Sequence, residues 1–122
     1  MYLITGPLKL TVELKAKDVR GTKAGLYILG PTKVNGKSYW LQDSEKNAIW
    51  YLKPNGDWRI GHQDGIGNSS AAIGTIYTTE DVAGPQEATT WQHYSGGKWN
   101  ISDDILVDTV KTGIYINRMR IM

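Results

Sequence analysis

The side chains that could do chemistry are scattered along this sequence. His62 and His93 are the only histidines, and with Asp64, Asp103 or Asp104 they could ligate a metal ion. No His-x-x-x-His spacing and no nucleophile motif accompanies them. We therefore expect both histidines to be solvated or hydrogen-bonded within the fold, and we predict no metal site and no cofactor.

Two further stretches imitate functional motifs, but each lacks a part that the chemistry requires. DGIGNSS at 64–70 lacks the lysine and the following helix of a phosphate-binding loop, and it lacks the acidic repeat of an EF-hand. Asp103-Asp104 has no second, distant carboxylate in a cleft, as a paired-carboxylate hydrolase needs, and a turn before the next strand is the simpler interpretation. We therefore predict that the chain is not an enzyme.

Composition excludes several other classes. The chain has no cysteine, so disulfides, thiol nucleophiles and cysteine-ligated zinc are excluded. A net charge of +2 from 14 basic and 12 acidic residues gives no case for a nucleic-acid partner. No segment approaches the roughly 20 apolar residues of a membrane helix, and residues 1–15 show no signal-peptide pattern. We predict no membrane partner and folding in a cytoplasm.

Aromatic residues carry most of the remaining functional potential, and they are densest between Ser38 and Gly61. With five Trp, seven Tyr and no Phe, many aromatic side chains bring a polar group that needs a partner. Asn35-Gly36 predicts a two-residue hairpin turn, and Pro54-Asn55-Gly56 predicts a three-residue loop. Together with a four-residue loop at 44–47, these turns predict a three-stranded antiparallel meander.

The predicted register sorts the meander into two faces, because opposed residues share a face. The core face holds Tyr39, Leu41, Trp50, Leu52, Trp58 and Ile60. The opposite face carries Trp40, Tyr51 and Arg59 in a row. That row could be a sugar or peptide platform with a cation–π contact, or a second core layer, which the need to cover both sheets of a sandwich favours. Trp91 and Trp99 could likewise bind a ligand from loops or form a lid over one end of the fold.

The rest of the chain also predicts strands. Leu8, Leu10, Val12 and Leu14 alternate with polar residues and indicate a half-buried strand over 8–15. Further strands are predicted at 25–29, 73–78, 89–94, 105–110 and 113–122, with a loop and one helical turn at 79–88 and a turn at 95–100. We predict a single all-β domain over 1–122, a compact antiparallel β-sandwich or flattened barrel of about seven to nine short strands.

The order of motifs along the chain carries a resemblance. The motifs are a leading strand at 10–14, Asn35-Gly36 with Tyr39, Trp50-Tyr51, Trp58-Arg59-Ile60, a loop at 62–70, Ile76-Tyr77, Pro85, Trp91 and a strand at 105–107. Over roughly 8–110 this order resembles a small Gly/Trp-rich β domain that recurs in phage and other virus proteins and in secreted multidomain proteins. The resemblance implies the fold and no catalytic residues. The family unit stops near the closing strand, whereas this chain adds a further predicted strand at about 112–122.

The resemblance and the missing signal peptide favour a virion component over a secreted tandem array. We expect a non-enzymatic structural virion protein, such as a capsid decoration, head-fibre or tail component, that binds other virion proteins and itself. The apolar tail is awkward in a monomer, so the expected assembly residues are Ile114, Ile116, Met119 and Ile121. The alternative is an extracellular carbohydrate-binding module that binds a glycan through Trp40, Tyr51 and Arg59 or through Trp91 and Trp99.

Overall fold

Nine short strands make up almost all of the regular structure. The computed structural model describes residues 7–14, 23–42, 46–52, 56–66, 76–78, 80–95, 97–102 and 105–110. The strands are β1 (Lys9–Leu14), β2 (Gly25–Val34), β3 (Lys37–Gln42), β4 (Asn47–Leu52), β5 (Asp57–His62), β6 (Ile76–Thr78), β7 (Trp91–Ser95), β8 (Lys98–Ser102) and β9 (Ile105–Thr109). Two 3₁₀ turns, Gln63–Gly65 and Pro85–Glu87, lie in connections, and no α-helix occurs in the described ranges. The predicted all-β class is confirmed.

All nine strands belong to one antiparallel sheet in the order β8-β7-β6-β5-β4-β3-β2-β1-β9. Strands β1 to β8 form a continuous meander, and only β9 returns to pair with β1. Ser102 ends β8 and Ile105 begins β9, so only two residues separate the two ends of the sheet. Three peptide units span at most about 11 Å. The sheet must therefore curl until its ends approach each other, which gives a half-barrel and agrees with the predicted flattened barrel.

Local turn chemistry determines the hairpin between β2 and β3. Asn35 and Gly36 have φ angles of 54° and 84°, and Val34 pairs with Lys37 across them. The predicted two-residue turn is confirmed, because Asn and Gly tolerate positive φ at both central positions. Strand β2, however, does not end at Gly30-Pro31 as expected. It continues to Val34 through a register shift between Leu29 and Lys33, since such a bulge tolerates a proline within a strand.

The hairpin between β4 and β5 has a different register from the predicted one. Leu52 pairs with Asp57 and Tyr51 pairs with Trp58, so the loop has four residues, 53–56, instead of three. Gly56 ends this loop with a φ of 68°, and its amide donates to the Leu52 carbonyl at 2.9 Å. A slip of one residue turns every side chain of β5 to the other face. The prediction that Trp58 and Ile60 share a face with Trp50 and Leu52 is therefore wrong.

The hairpin between β3 and β4 also differs in register, but its faces are unchanged. Leu41 pairs with Ala48 instead of Trp50, so the loop spans 43–46 and not 44–47. A slip of two residues keeps each side chain on its predicted face. Tyr39, Leu41, Trp50 and Leu52 therefore do share a face, which is the convex face of the curled sheet.

The concave face of the half-barrel forms the main hydrophobic core. Its buried members come from eight of the nine strands and from the connection before β7: Leu10, Val12, Tyr27, Trp40, Ile49, Tyr51, Trp58, Ile60, Ile76, Ala88, Trp91, Ile105 and Val107. Leu10 and Val12 point inward as predicted, whereas Leu8 is 65% exposed. Ala48, Trp50 and Leu52 are fully buried on the convex face. The two central strands β4 and β5 are therefore buried on both faces.

The described part of the second half of the chain differs from expectation at one place. Residues 95–100 were expected to form a turn, but Lys98–Ser102 forms β8 after Gly97, whose φ is 80°. The predicted helical turn in 79–88 is present as Pro85–Glu87. The predicted strand at 113–122, with Ile114, Ile116, Met119 and Ile121, lies outside the described residues.

Candidate functional site

The predicted row of Trp40, Tyr51 and Arg59 does not form, and this is a correction of the sequence-based register. Trp40 and Tyr51 lie on the concave face, whereas Arg59 lies on the convex face opposite Trp50. Trp40 is 1% exposed, and Tyr51 and Arg59 are each 9% exposed. These side chains belong to two buried layers, so they do not offer a ligand an open platform.

The polar groups of the concave aromatics are already bonded to loop residues. The indole N–H of Trp40 donates to the Pro7 carbonyl at 2.8 Å, and that of Trp58 donates to the Val82 carbonyl at 2.9 Å. The two rings lie 6.0 Å apart between centroids, and the Tyr51 ring packs edge-on against Trp58 at 5.3 Å. This cluster fastens the loops of one end of the half-barrel to its core.

Trp91 and Trp99 have different environments despite their similar expected roles. Trp91 is 1% exposed and belongs to the concave core, and its Nε1 has no hydrogen-bond partner. Trp91 is therefore part of the core of the sheet itself, and it is neither exposed on a loop nor a lid over one end of the fold as the two predicted alternatives had it. Trp99 is half-buried on the convex face and packs edge-on against Tyr77, with ring centroids 4.6 Å apart. Of the five predicted ligand-binding residues, only Trp99 retains substantial exposure.

A different row of side chains crosses the convex face from the centre of the sheet to its edge. The register pairs Trp50 with Arg59, Arg59 with Tyr77, Tyr77 with Gln92 and Gln92 with Ile101. We call these five residues the outer row. Trp50 is fully buried, Arg59 is 9% exposed, Tyr77 and Gln92 are half-buried, and Ile101 is 68% exposed. The row therefore leads from the buried centre to an exposed aliphatic side chain on β8.

Arg59 is the electrostatic centre of the outer row. Its Nε lies 3.2 Å from Asp57 Oδ1, and its guanidinium lies 4.7 Å from the centroid of the Tyr77 ring. The Arg59 side chain forms no other hydrogen bond within the part of the chain that is described. Burial raises the pKa of Asp57 above its ordinary value, against the lowering effect of Arg59. The opposed Trp50 Nε1 is buried without a partner. Around Arg59, the Trp50 indole N–H and part of the guanidinium thus have no hydrogen-bond partner among the described residues. They lie beside the Asp57 carboxylate, whose charge is unfavourable to bury.

A cavity of about 390 Å³ opens at the loop end of the concave face. Its lining comprises Pro7, Gly36, Lys37, Ser38, Trp40, Trp58, Ala83, Gly84, Gln86 and Glu87. Because both indoles are 1% exposed, they form the base, and the accessible wall comes from the start of β3 and the connection between β6 and β7. The Lys37 ammonium lies 5.0 Å from the Tyr51 ring centroid. The cavity volume falls in the range of small-molecule sites.

The connection that forms one cavity wall is held by two carboxylates, Glu80 and Asp81. Glu80 accepts hydrogen bonds from the backbone amides of Thr89 and Thr90 and from the hydroxyl groups of Thr89 and Thr78. Desolvation raises the pKa of Glu80, but these hydrogen bonds outweigh it and hold the pKa below its ordinary value. The Tyr51 hydroxyl also donates to Asp81 at 3.0 Å, which raises the Tyr51 pKa. Because of these contacts, the cavity wall formed by this connection is preorganised.

The histidines do not come together. His62 is exposed, and its Nδ1 accepts the Asp64 amide at 3.1 Å, whereas His93 is buried on the concave face of β7. Among the described ranges, no group of three or more His, Cys, Asp or Glu side chains could hold a metal ion. Asp103 and Asp104 lie outside these ranges. The described part also contains no helix that is long and apolar enough to cross a membrane.

The two candidate sites are thus the outer row and the loop-end cavity. No family model, curated protein or solved structure matches this chain. Both sites contain residues that the sequence did not single out, namely Tyr77, Gln92 and Ile101 in the outer row and Lys37 and Gln86 at the cavity. The alternation within β5 and β8 would have revealed the outer row if the loop at 53–56 had been given four residues. The cavity has no comparable local signal.

Proposed function

We propose that this chain is a non-enzymatic structural domain that acts through protein–protein assembly at the edge formed by β8. The observation that carries the proposal is the end of the outer row, where Ile101 is 68% exposed on a strand that pairs only with β7 among the described strands. An edge strand presents unpaired backbone groups, and an exposed apolar side chain on it favours pairing with another chain.

The composition around Ile101 supports a binding surface. Tyr77 and Trp99 form a half-buried aromatic pair beside it, and the Arg59 guanidinium packs over the Tyr77 ring. Tyr, Trp and Arg are the residue types enriched at energetic hot spots of interfaces. A partner that covered this patch would bury an aliphatic side chain together with two aromatic rings.

We propose a second copy of this chain as the partner at this edge. The other end of the sheet, β9, exposes 43% of Leu106, which shares the convex face with Ile101. Pairing of β8 in one copy with β9 in the next would bring both aliphatic side chains to one surface. Such a head-to-tail contact closes into a ring or grows as a fibre. Together with the resemblance to virus domains, this supports a virion component such as a capsid decoration, head-fibre or tail protein.

Sedimentation velocity tests this proposal with three charge substitutions. We expect the wild-type chain to form oligomers and Ile101→Lys and Leu106→Lys to sediment as monomers. Ile28→Lys is the matched control, because Ile28 is 39% exposed on the same convex face but lies on the inner strand β2. The control should assemble like the wild type. A wild-type chain that stays monomeric at its highest soluble concentration, or a control that dissociates equally, contradicts the proposal.

The alternative function is a carbohydrate-binding module, which was predicted from an open aromatic surface that does not form. Trp40, Tyr51, Arg59 and Trp91 are buried. Trp99 remains, but it lies in the same patch that we assign to assembly. A glycan-array experiment with Trp99→Ala separates the two roles, since a glycan signal that this change abolishes would favour sugar binding at β8.

A further inference from the structure

The loop-end cavity has rigid walls that its own base holds in place. The Trp40 indole N–H fixes Pro7 on one side, and the Trp58 indole N–H fixes Val82, next to Ala83, on the other. Glu80 adds its hydrogen bonds to Thr89 and Thr90 behind the second wall. A site whose walls are ordered before binding loses little conformational entropy when a ligand enters.

The polar groups at this cavity carry both signs of charge. The Lys37 ammonium stacks on the Tyr51 ring and forms no ion pair within the described residues. Glu87 also lines the cavity, is exposed, and likewise has no ion pair in those ranges. A ligand with a net charge of either sign would be attracted by one of these two side chains and repelled by the other, so a net charge brings little gain in binding. The pair therefore favours a neutral ligand that can both donate and accept hydrogen bonds.

Hydroxyl groups combine these two capacities, because each carries one donor and two acceptor lone pairs. A hydroxyl could donate to Glu87 and another could accept from Lys37, while ligand C–H groups contact Pro7 and Ala83. Gln86 lines the cavity next to Glu87. We propose that the loop-end cavity binds a neutral saccharide unit of a glycan. This site is separate from the β8 edge, so the two proposals stand or fall independently.

Two-dimensional ¹H–¹⁵N NMR of the full chain tests the proposal directly. The probes are D-glucose, D-galactose and N-acetyl-D-glucosamine as neutral sugars, with D-glucuronate and D-glucosamine as charged ones. At least one neutral sugar should shift the indole N–H signals of Trp40 and Trp58 in a saturable way, and the signal of Trp99 should not move. Neither charged sugar should bind more tightly than its neutral counterpart.

Two substitutions locate the binding in the cavity. Ala83→Trp puts a large aromatic ring into the cavity from an exposed position in its wall. This variant should abolish the shifts. Glu87→Gln keeps the shape but removes the charged acceptor, and it should weaken binding by about tenfold, because hydrogen bonds to charged groups are the stronger ones. Lys98→Gln, at an exposed position of β8, is the control and should leave binding unchanged. Absence of saturable shifts with all three neutral sugars, or binding that survives both cavity variants, overturns the proposal.

Discussion

The concave and convex faces of the central strands carry the same kinds of residue but differ in how their polar groups are bonded. On the concave face, Trp40, Trp58 and Tyr51 all donate to loop residues within 3.0 Å. On the convex face, Trp50 Nε1 has no partner and Arg59 shares a single hydrogen bond with Asp57. The concave aromatics therefore tie loops to the core, whereas the polar groups of Trp50 and Arg59 in the outer row have fewer hydrogen-bond partners among the described residues.

The largest effect should come from truncating one tryptophan on each face. Trp58→Ala removes a 1% exposed ring and its bond to Val82, so we expect a loss of about 3–5 kcal/mol of unfolding free energy. Trp99→Ala removes a half-buried ring that packs edge-on against Tyr77, and we expect a loss of about 1 kcal/mol. Urea unfolding of both variants measures the difference. Equal losses would contradict the division between a structural face and a binding face.

A smaller effect should appear when only the indole N–H is removed. Trp40→Phe and Trp50→Phe make the same chemical change in two fully buried rings, but only Trp40 has a hydrogen bond to lose. We expect Trp40→Phe to be the more destabilising by about 1–3 kcal/mol, which is the range for a broken bond that leaves a buried partner unsatisfied. Chemical denaturation with unchanged m-values checks this. A larger loss for Trp50→Phe would show that Trp50 Nε1 does have a partner.

The smallest effect is a difference in pH dependence between the two sites. The pKa of Glu80 is lowered in the folded state from its ordinary value of 4.5. Its contribution to stability is therefore fully present above pH 4.5 and is lost as the pH falls through the pKa of the folded state. The pKa of Asp57 is raised, so its contribution has the opposite sign and stability is gained as pH falls through its folded value. Glu80→Gln should flatten the loss of stability in acid, and Asp57→Asn should steepen it. Urea unfolding between neutral pH and about pH 3 measures both slopes, and slopes of the same sign would contradict these assignments.

Local chemistry in the sequence predicts part of this fold well. Asn35-Gly36 determined its hairpin because positive φ at two successive positions is a strong local requirement. The alternation of Leu10 and Val12 likewise predicted a buried face of β1. The all-β class followed from many such short signals, without a long-range contact having to be known.

The features that were predicted wrongly depend on strand register and on contacts between residues far apart in the sequence. Pro54-Asn55-Gly56 can form a three-residue loop by itself or a four-residue loop together with Lys53. The loop length sets the register of β5 and therefore decides on which face of the sheet Trp58 lies. The glycan platform was therefore placed on side chains that are buried. The loop-end cavity brings Lys37 near Gln86 and Glu87, almost 50 positions later in the chain. Only the curl of the whole sheet makes them neighbours.

The central claim, that the β8 edge binds a second copy of this chain, is tested most directly by a dilution series of ¹H–¹⁵N spectra. We predict concentration-dependent shifts in the amides of Lys98–Ser102 on β8, in the Trp99 indole N–H, and in Ile105–Thr109 on β9. The buried amides of Ile49 and Ile60 should not shift. Spectra that are independent of concentration, or shifts confined to strands other than β8 and β9, would contradict the account.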